Sequence, residues 1–188
     1  MTMLRFLGLG RQAASSPAGA SETGAESETQ TVRRIVAELG QLDPERRRFL
    51  AGFAYVVSRA AHADLNVTPD ETRLMEQIVA EIGGLPEAQA VLVVEIAKNQ
   101  GELYGGTEDY LVTREFAAHS TSEQRRAAVE ACYAVAAADG SITSEESAEL
   151  VQIAKELDLP IDELNEIRRT YADKLLAIQL MRGVTPRD

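Results

Sequence analysis

The chain has one cysteine, Cys132, no tryptophan and only two histidines, His62 and His119, in 188 residues. A lone cysteine excludes an internal disulfide and fits a reducing compartment, so a cytoplasmic location is expected. No cysteine or histidine pair has the spacing of a zinc site. Cys132 falls in register with Ala128 and Val135 on an apolar helix face, the usual place of an inert, buried thiol. No run approaches the roughly eighteen apolar residues of a membrane span, so no integral membrane segment is expected. There is no GxxxxGK[ST] and no glycine-rich strand–helix turn, which leaves nucleotide binding without a motif. Clustered basic residues are missing too. The net charge is −11, and residues 31–120 and 121–188 each carry −5. Nucleic acid is therefore a poor partner, because neutralising phosphates takes gathered Lys and Arg. The one dense basic run, "PERRR" at residues 44–48, opens a helix, the end at which the dipole disfavours cations, and reads as a solvated or ion-paired face.

Bulky apolar residues are scarce at the start of the chain. "AASSPAGASETGAESETQ", from Ala13 to Gln30, is small and polar. It offers too little to bury to offset its ordering entropy, so residues 1–30 read as a disordered tail. The opening "MTMLRFLGLG" is too short for a secretory core of roughly 7–15 apolar residues. At most, its basic residue and short apolar cluster give it a weak membrane-surface contact, and a frayed terminus is the simpler reading; were the tail to dock on the domain, Leu4, Phe6 and Leu7 would carry the contact. Residues 31–188 read as one domain.

That domain is rich in alanine, leucine, glutamate and arginine, good helix formers throughout. "TVRRIVAEL" is a short helix ending at Gly40. Asp43-Pro44 gives a cap followed by proline at the first helical position, and Phe49, Phe53, Val56, Val57 and Ala60 follow at helical spacing to about Ala63. Leu74, Met75, Ile78, Val79 and Ile82 mark the next helix, stopped by Gly83-Gly84. Pro86 opens another that Gly101 ends, and Thr107 caps a short helix around Tyr110, Leu111 and Phe116. Ser120 or Thr121 begins the helix of Ala128, Cys132 and Val135. Leu150, Ile153, Ala154 and Leu157 mark the next, and Pro160 starts a last one with Ile161, Leu164, Ile167, Tyr171, Leu175 and Ile178 along one side. No segment alternates with period two. The fold class is all-α, with about seven or eight helices.

The chain also repeats itself. "AAHADLNVTPDETRLMEQIVAEI" from Ala60 and "AAADGSITSEESAELVQIAKEL" from Ala136 share a layout, and Asp64 and Asp139, Thr68 and Thr143, and Glu71 and Glu146 are all 75 residues apart. A shared offset over several polar positions indicates two duplicated helix-loop-helix hairpins, around residues 46–82 and 121–157, with Phe53, Val57, Ile78, Val135 and Ile153 in the core. Each loop admits two readings. In the first, "TPDE" and "TSEE" are capping boxes, with Thr68 and Thr143 as N-caps, Glu71 and Glu146 reaching back to them, and Asp70 and Glu145 favoured by the helix dipole. In the second, the loops lie side by side, and Asp64, Glu71, Asp139 and Glu146 form an acidic patch suited to a hard divalent cation, calcium or magnesium. Neither loop is an EF-hand. Counted from Asp64, positions 6 and 12 are Pro69 and Met75, and from Asp139 they are Ser144 and Leu150, where glycine and glutamate are required.

The doubled pattern AxADG-polar-Ile-[Ser/Thr]-x-Glu-Glu on a helix–loop–helix resembles the TerB-like family of tellurite-resistance-associated helical domains. The N-terminal domains of some DnaJ-like membrane co-chaperones are similar. The resemblance covers about residues 43–181. The second copy matches better, with Asp139, Gly140, Ile142, Thr143 and Glu146 in place, whereas the first has Leu65 where glycine is expected and must hold it in a conformation that glycine adopts freely. The resemblance implies an all-helical, non-enzymatic domain with a cation-binding or scaffolding role in stress response. No His-Pro-Asp triplet occurs, so the chain has no J-domain. Two function classes stand side by side: a cation-binding, stress-associated domain, and a structural adaptor docking a protein partner, its acidic loops serving only as caps.

Overall fold

The computed structural model describes residues 33–35, 37–65 and 67–183, with the side chains of residues 104–107 outside that description. The expectation of a disordered tail falls on residues 1–30, outside the described residues. The chain divides into two units, Met1–Asp43 and Pro44–Asp188. In the first, residues 33–35 and 37–41 are helical. The second holds α1 (Pro44–Ala61), α2 (Pro69–Gly83), α3 (Glu87–Ala118), α4 (Ser122–Ala136), α5 (Ser144–Glu156), α6 (Ile161–Thr170) and α7 (Leu176–Met181). Among the described residues there is no strand, only one isolated parallel bridge. The fold is all-α, as its composition and periodicity predict.

α1 is the central element. Ten consecutive residues, 52–61, are buried, so the helix is covered on every side. Gly52 allows the closest approach: a Cβ there would lie 3.0 Å from Phe116 Cδ2. Phe116 can therefore join Phe49 and Phe53, with ring centroids 5.5–6.4 Å apart, in the range of favourable aromatic pairs. α4 supplies Ala128, Val129, Cys132, Val135 and Ala136, and α5 supplies Leu150, Ile153 and Ala154. Of the five expected core residues, Phe53, Val57, Val135 and Ile153 are buried, while Ile78 is half-buried. Met75 and Val79 hold the inner face of α2 instead. The core stripe lies one residue further along the helix, a distinction that an apolar pair such as Ile78-Val79 leaves open in sequence.

Two expected boundaries are corrected. Gly101 does not end a helix and Thr107 does not cap one, because α3 runs unbroken for 32 residues. A helical glycine costs about 1 kcal/mol, but Ala90, Val94 and Ala97 before the glycines and Thr113 and Phe116 after them are all buried. Burial at both ends of the helix outweighs the local cost. Conversely, the expected last helix is two. α6 ends at Thr170, and the non-helical residues 171–175 bring the chain alongside the second loop: Ile142 N–H donates to Lys174 O at 2.7 Å, and Leu176 N–H, at the start of α7, donates to Ile142 O at 2.9 Å. Of the residues expected along one side, Leu164 and Ile167 are buried, whereas Ile161 is 68% exposed.

The duplication holds at the level of single hydrogen bonds. Leu65 N–H donates to His62 O and Gly140 N–H to Ala137 O, both at 3.0 Å, and Thr72→Thr68 and Ser147→Thr143 match likewise. Leu65 takes φ 64° where its counterpart Gly140 takes 106°, so the leucine does occupy the left-handed region. The copies slip only at their far ends. The left-handed residue is Gly84 in the first and Asp158 in the second, one short of the 75-residue offset.

Among the described residues, no single helix is long and apolar enough to cross a membrane. α2 and the first part of α3 pass as a pair, but are bent by 118°. Met75, Val79, Ala90 and Val94 in that pair are buried within the domain, which accounts for the apolar composition.

Candidate functional site: the paired glutamates

Both capping boxes form. Thr68 Oγ1 accepts from Glu71 N–H at 3.2 Å, and Glu71 Oε2 accepts from Thr68 N–H at 2.7 Å and from its hydroxyl at 2.8 Å. The Thr143–Glu146 box has the same bonds at 3.2, 2.8 and 2.9 Å. Glu71 and Glu146 are the third helical residues of α2 and α5, and capping draws each side chain back across the loop. They are 2% and 4% exposed. Asp64 is half-buried, and Asp139 is exposed, its Oδ1 accepting from Ser141 N–H at 3.0 Å. Asp70 and Glu145 point elsewhere. Asp70 pairs with Arg73 at 2.7 Å and Glu145 accepts from Ser144 Oγ at 2.8 Å, all exposed.

The four inner carboxylates act on one another. Burial pushes the Glu146 carboxyl up to about 7; its two bonds from Thr143 pull the other way, and the charges of Glu71 and Asp64 push it further up. Burial likewise raises Glu71 against its Thr68 bonds, with Asp139 and Asp64 adding to the rise. The carboxylates of each loop thus lie within electrostatic reach of the buried glutamate of the other. Among the described residues, no three His, Cys, Asp or Glu side chains are gathered closely enough to hold a metal ion as they stand. The donor set is nonetheless all carboxylate oxygen, the chemistry that calcium and magnesium favour.

A third capping box in the same chain sets the glutamates in context. α4 is capped by Thr121, with Gln124 Oε1 accepting from Thr121 N–H at 2.8 Å and Thr121 Oγ1 accepting from Gln124 N–H at 3.2 Å. Glutamine does this job without charge. Capping therefore accounts for the position of Glu71 and Glu146, but not for their being acids where burial opposes ionisation.

Sequence reading missed the polar network around Arg59. That guanidinium, 8% exposed, bonds Glu149 through Nε, Glu156 Oε2 at 2.6 Å and Thr113 Oγ1 at 3.0 Å. Tyr55 donates to Asp109 Oδ1 beside it at 2.9 Å. The available signal was an arginine within the apolar run "FAYVVSRAA", which needs a buried partner. Cys132 is buried, donates to Val56 O, and burial pushes its thiol up to about 12, so it is held as a thiol, as the sequence predicts.

The family model described as tellurite resistance protein TerB matches residues 50–169. The chain belongs to the TerB family. No curated protein and no solved structure matches it. The TerB match spans both hairpins, from Leu50 in α1 to Arg169 in α6, and so takes in the whole acidic centre, while the segment that pairs with Ile142 lies beyond it.

Proposed function

We propose that this TerB-family domain is a non-enzymatic, tellurite-resistance or stress-associated binding module whose acidic centre takes a divalent cation, calcium or magnesium. The observation that supports this reading is the internal comparison: glutamine completes the capping box of α4, yet the boxes of α2 and α5, within electrostatic reach of each other, carry buried, mutually repelling glutamates. Like charges 4 Å apart cost about 1 kcal/mol in water and several-fold more near a protein surface. A bound cation would convert that cost into affinity. Asp64, Glu71, Asp139 and Glu146 are the residues that would hold it, after the two aspartates move inward. Because ligands bind as carboxylates, uptake would also release the proton that Glu146 retains near neutral pH.

The test is thermal melting with and without millimolar calcium or magnesium, on wild type and on Asp139→Asn with Glu146→Gln. Binding only to the folded state at a hundred times Kd adds about 2.7 kcal/mol, a shift of roughly 5–10 °C for a chain of this size. The wild type should show such a shift and the double variant should not. A wild type that melts at the same temperature in both would make the loops caps alone and leave the module a structural adaptor for a protein partner.

A further inference from the structure

The two loops are duplicates, yet only one has a covered edge. In the second, Ile142 is 1% exposed, and its backbone is bridged on both sides by residues 174–176. Gln179 Nε2 adds a bond to Gly140 O at 3.0 Å. In the first loop the matching groups are the N–H and C=O of Val67 and the C=O of Leu65, and among the described residues no segment pairs with them.

What lies beside that open edge is a cavity of about 880 Å³. Leu65, Val67 and Leu103 give it an apolar side. Glu95, Glu102, Asp109 and Glu149 face it, against the two cations Arg59 and Lys98, which are already paired with Glu149 and Glu95. Leu65 is 92% exposed and Leu103 67%. Leu65 is the telling residue. In the left-handed region a leucine is strained by about 1 kcal/mol relative to glycine, and its exposed side chain buries nothing in return. Glycine, present in the other copy, would serve the fold better.

We propose that the open edge of the first loop docks an extended segment of a partner protein, a lysine or arginine followed by two apolar residues. It would pair with Val67 as this chain's own Lys174-Leu175-Leu176 pairs with Ile142. Main-chain bonding to an open edge supplies affinity and side-chain pockets supply specificity, the logic of strand addition. The basic residue meets the acidic lining, and the apolar pair covers Leu65 and Leu103. The site adjoins the proposed cation site through Asp64 but does not rest on it.

The probe is a synthetic peptide of residues 172–181, titrated into the isotope-labelled full chain and followed by amide chemical shifts. Shifts should move at Leu65, Val67 and residues 101–103 and stay fixed at residues 140–142. Leu65→Gly should weaken binding roughly tenfold, as should Lys174→Glu placed in the peptide alone. Leu65→Gly should also melt no lower than wild type, because glycine relieves the strain, so its lost binding could not be ascribed to unfolding. The proposal is overturned if millimolar peptide moves nothing, if the shifts fall at residues 140–142 because the peptide displaces the chain's own segment, or if Leu65→Gly binds as tightly as wild type. Asp139→Asn, which tests the cation, should leave peptide binding unchanged.

Discussion

Arg59→Ala should cost about 3–5 kcal/mol of stability, the usual consequence of removing one partner from a buried ion pair. The reason is what it leaves behind. Glu156 is 6% exposed. Burial alone would raise its carboxyl, but the bonds from Arg59 and from Gln152 Nε2 at 2.7 Å outweigh burial and hold it below its ordinary value. Without the guanidinium, a buried charge must either stay unpaired or take a proton. Thr113, fully buried, loses its partner at the same time. The melting temperature should fall by about 10 °C or more. Arg59→Met combined with Glu156→Leu should recover most of the loss, since apolar groups of similar volume can replace a buried pair at little cost. A loss below about 1 kcal/mol in Arg59→Ala, measured by urea unfolding, would show that water reaches Glu156 and that the network contributes little to stability.

Arg59 also marks where sequence reading stops. The 75-residue offset puts Ala134 in its place in the second copy, and Leu74 opposite Glu149. The network is thus unique to one side of the duplication, and no repeat argument could find it. It joins α1 to α3 and α5, residues 54 to 97 positions apart; the arginine in the apolar run marks that a partner is needed, but nothing local says which residues supply it.

The features that were legible are the ones written within a few residues. Thr68 with Glu71 and Thr143 with Glu146 cap their helices over a spacing of three, so composition and order were enough. Leu65 against Gly140 announced its left-handed backbone by alignment of the copies alone. The illegible features required knowledge of a distant neighbour. Gly101 carries every local sign of a helix end, yet α3 continues because its buried residues resume beyond the glycines. Leu175 keeps helical phase with Leu164 and Tyr171, yet the chain turns out of helix there to meet Ile142, some thirty residues earlier. In both places the local preference is about 1 kcal/mol per residue or less, and tertiary contacts exceed it.

The pH dependence of stability should show the second large effect, and it runs against habit. Most carboxylates are held below their ordinary range in a folded protein, so acid destabilises. Glu146 is raised, from 4.5 to about 7. The folded state therefore binds this proton more tightly than the unfolded state does. Its contribution is fully present below about pH 4.5 and is lost as pH rises through 7. A rise of this size corresponds to about 3 kcal/mol across that window. Glu71, also raised by burial, acts in the same direction. Glu146→Gln removes the titration while keeping the cap, as Gln124 does for α4. The variant should match wild type near pH 4 and exceed it by about 3 kcal/mol at pH 8, a gain where most substitutions lose about 1. Urea unfolding of both proteins at the two pH values decides it. A Glu146→Gln variant less stable than wild type at pH 8 would mean that the carboxylate is stabilised rather than strained there, and the acidic centre would lose the electrostatic tension on which its cation reading depends.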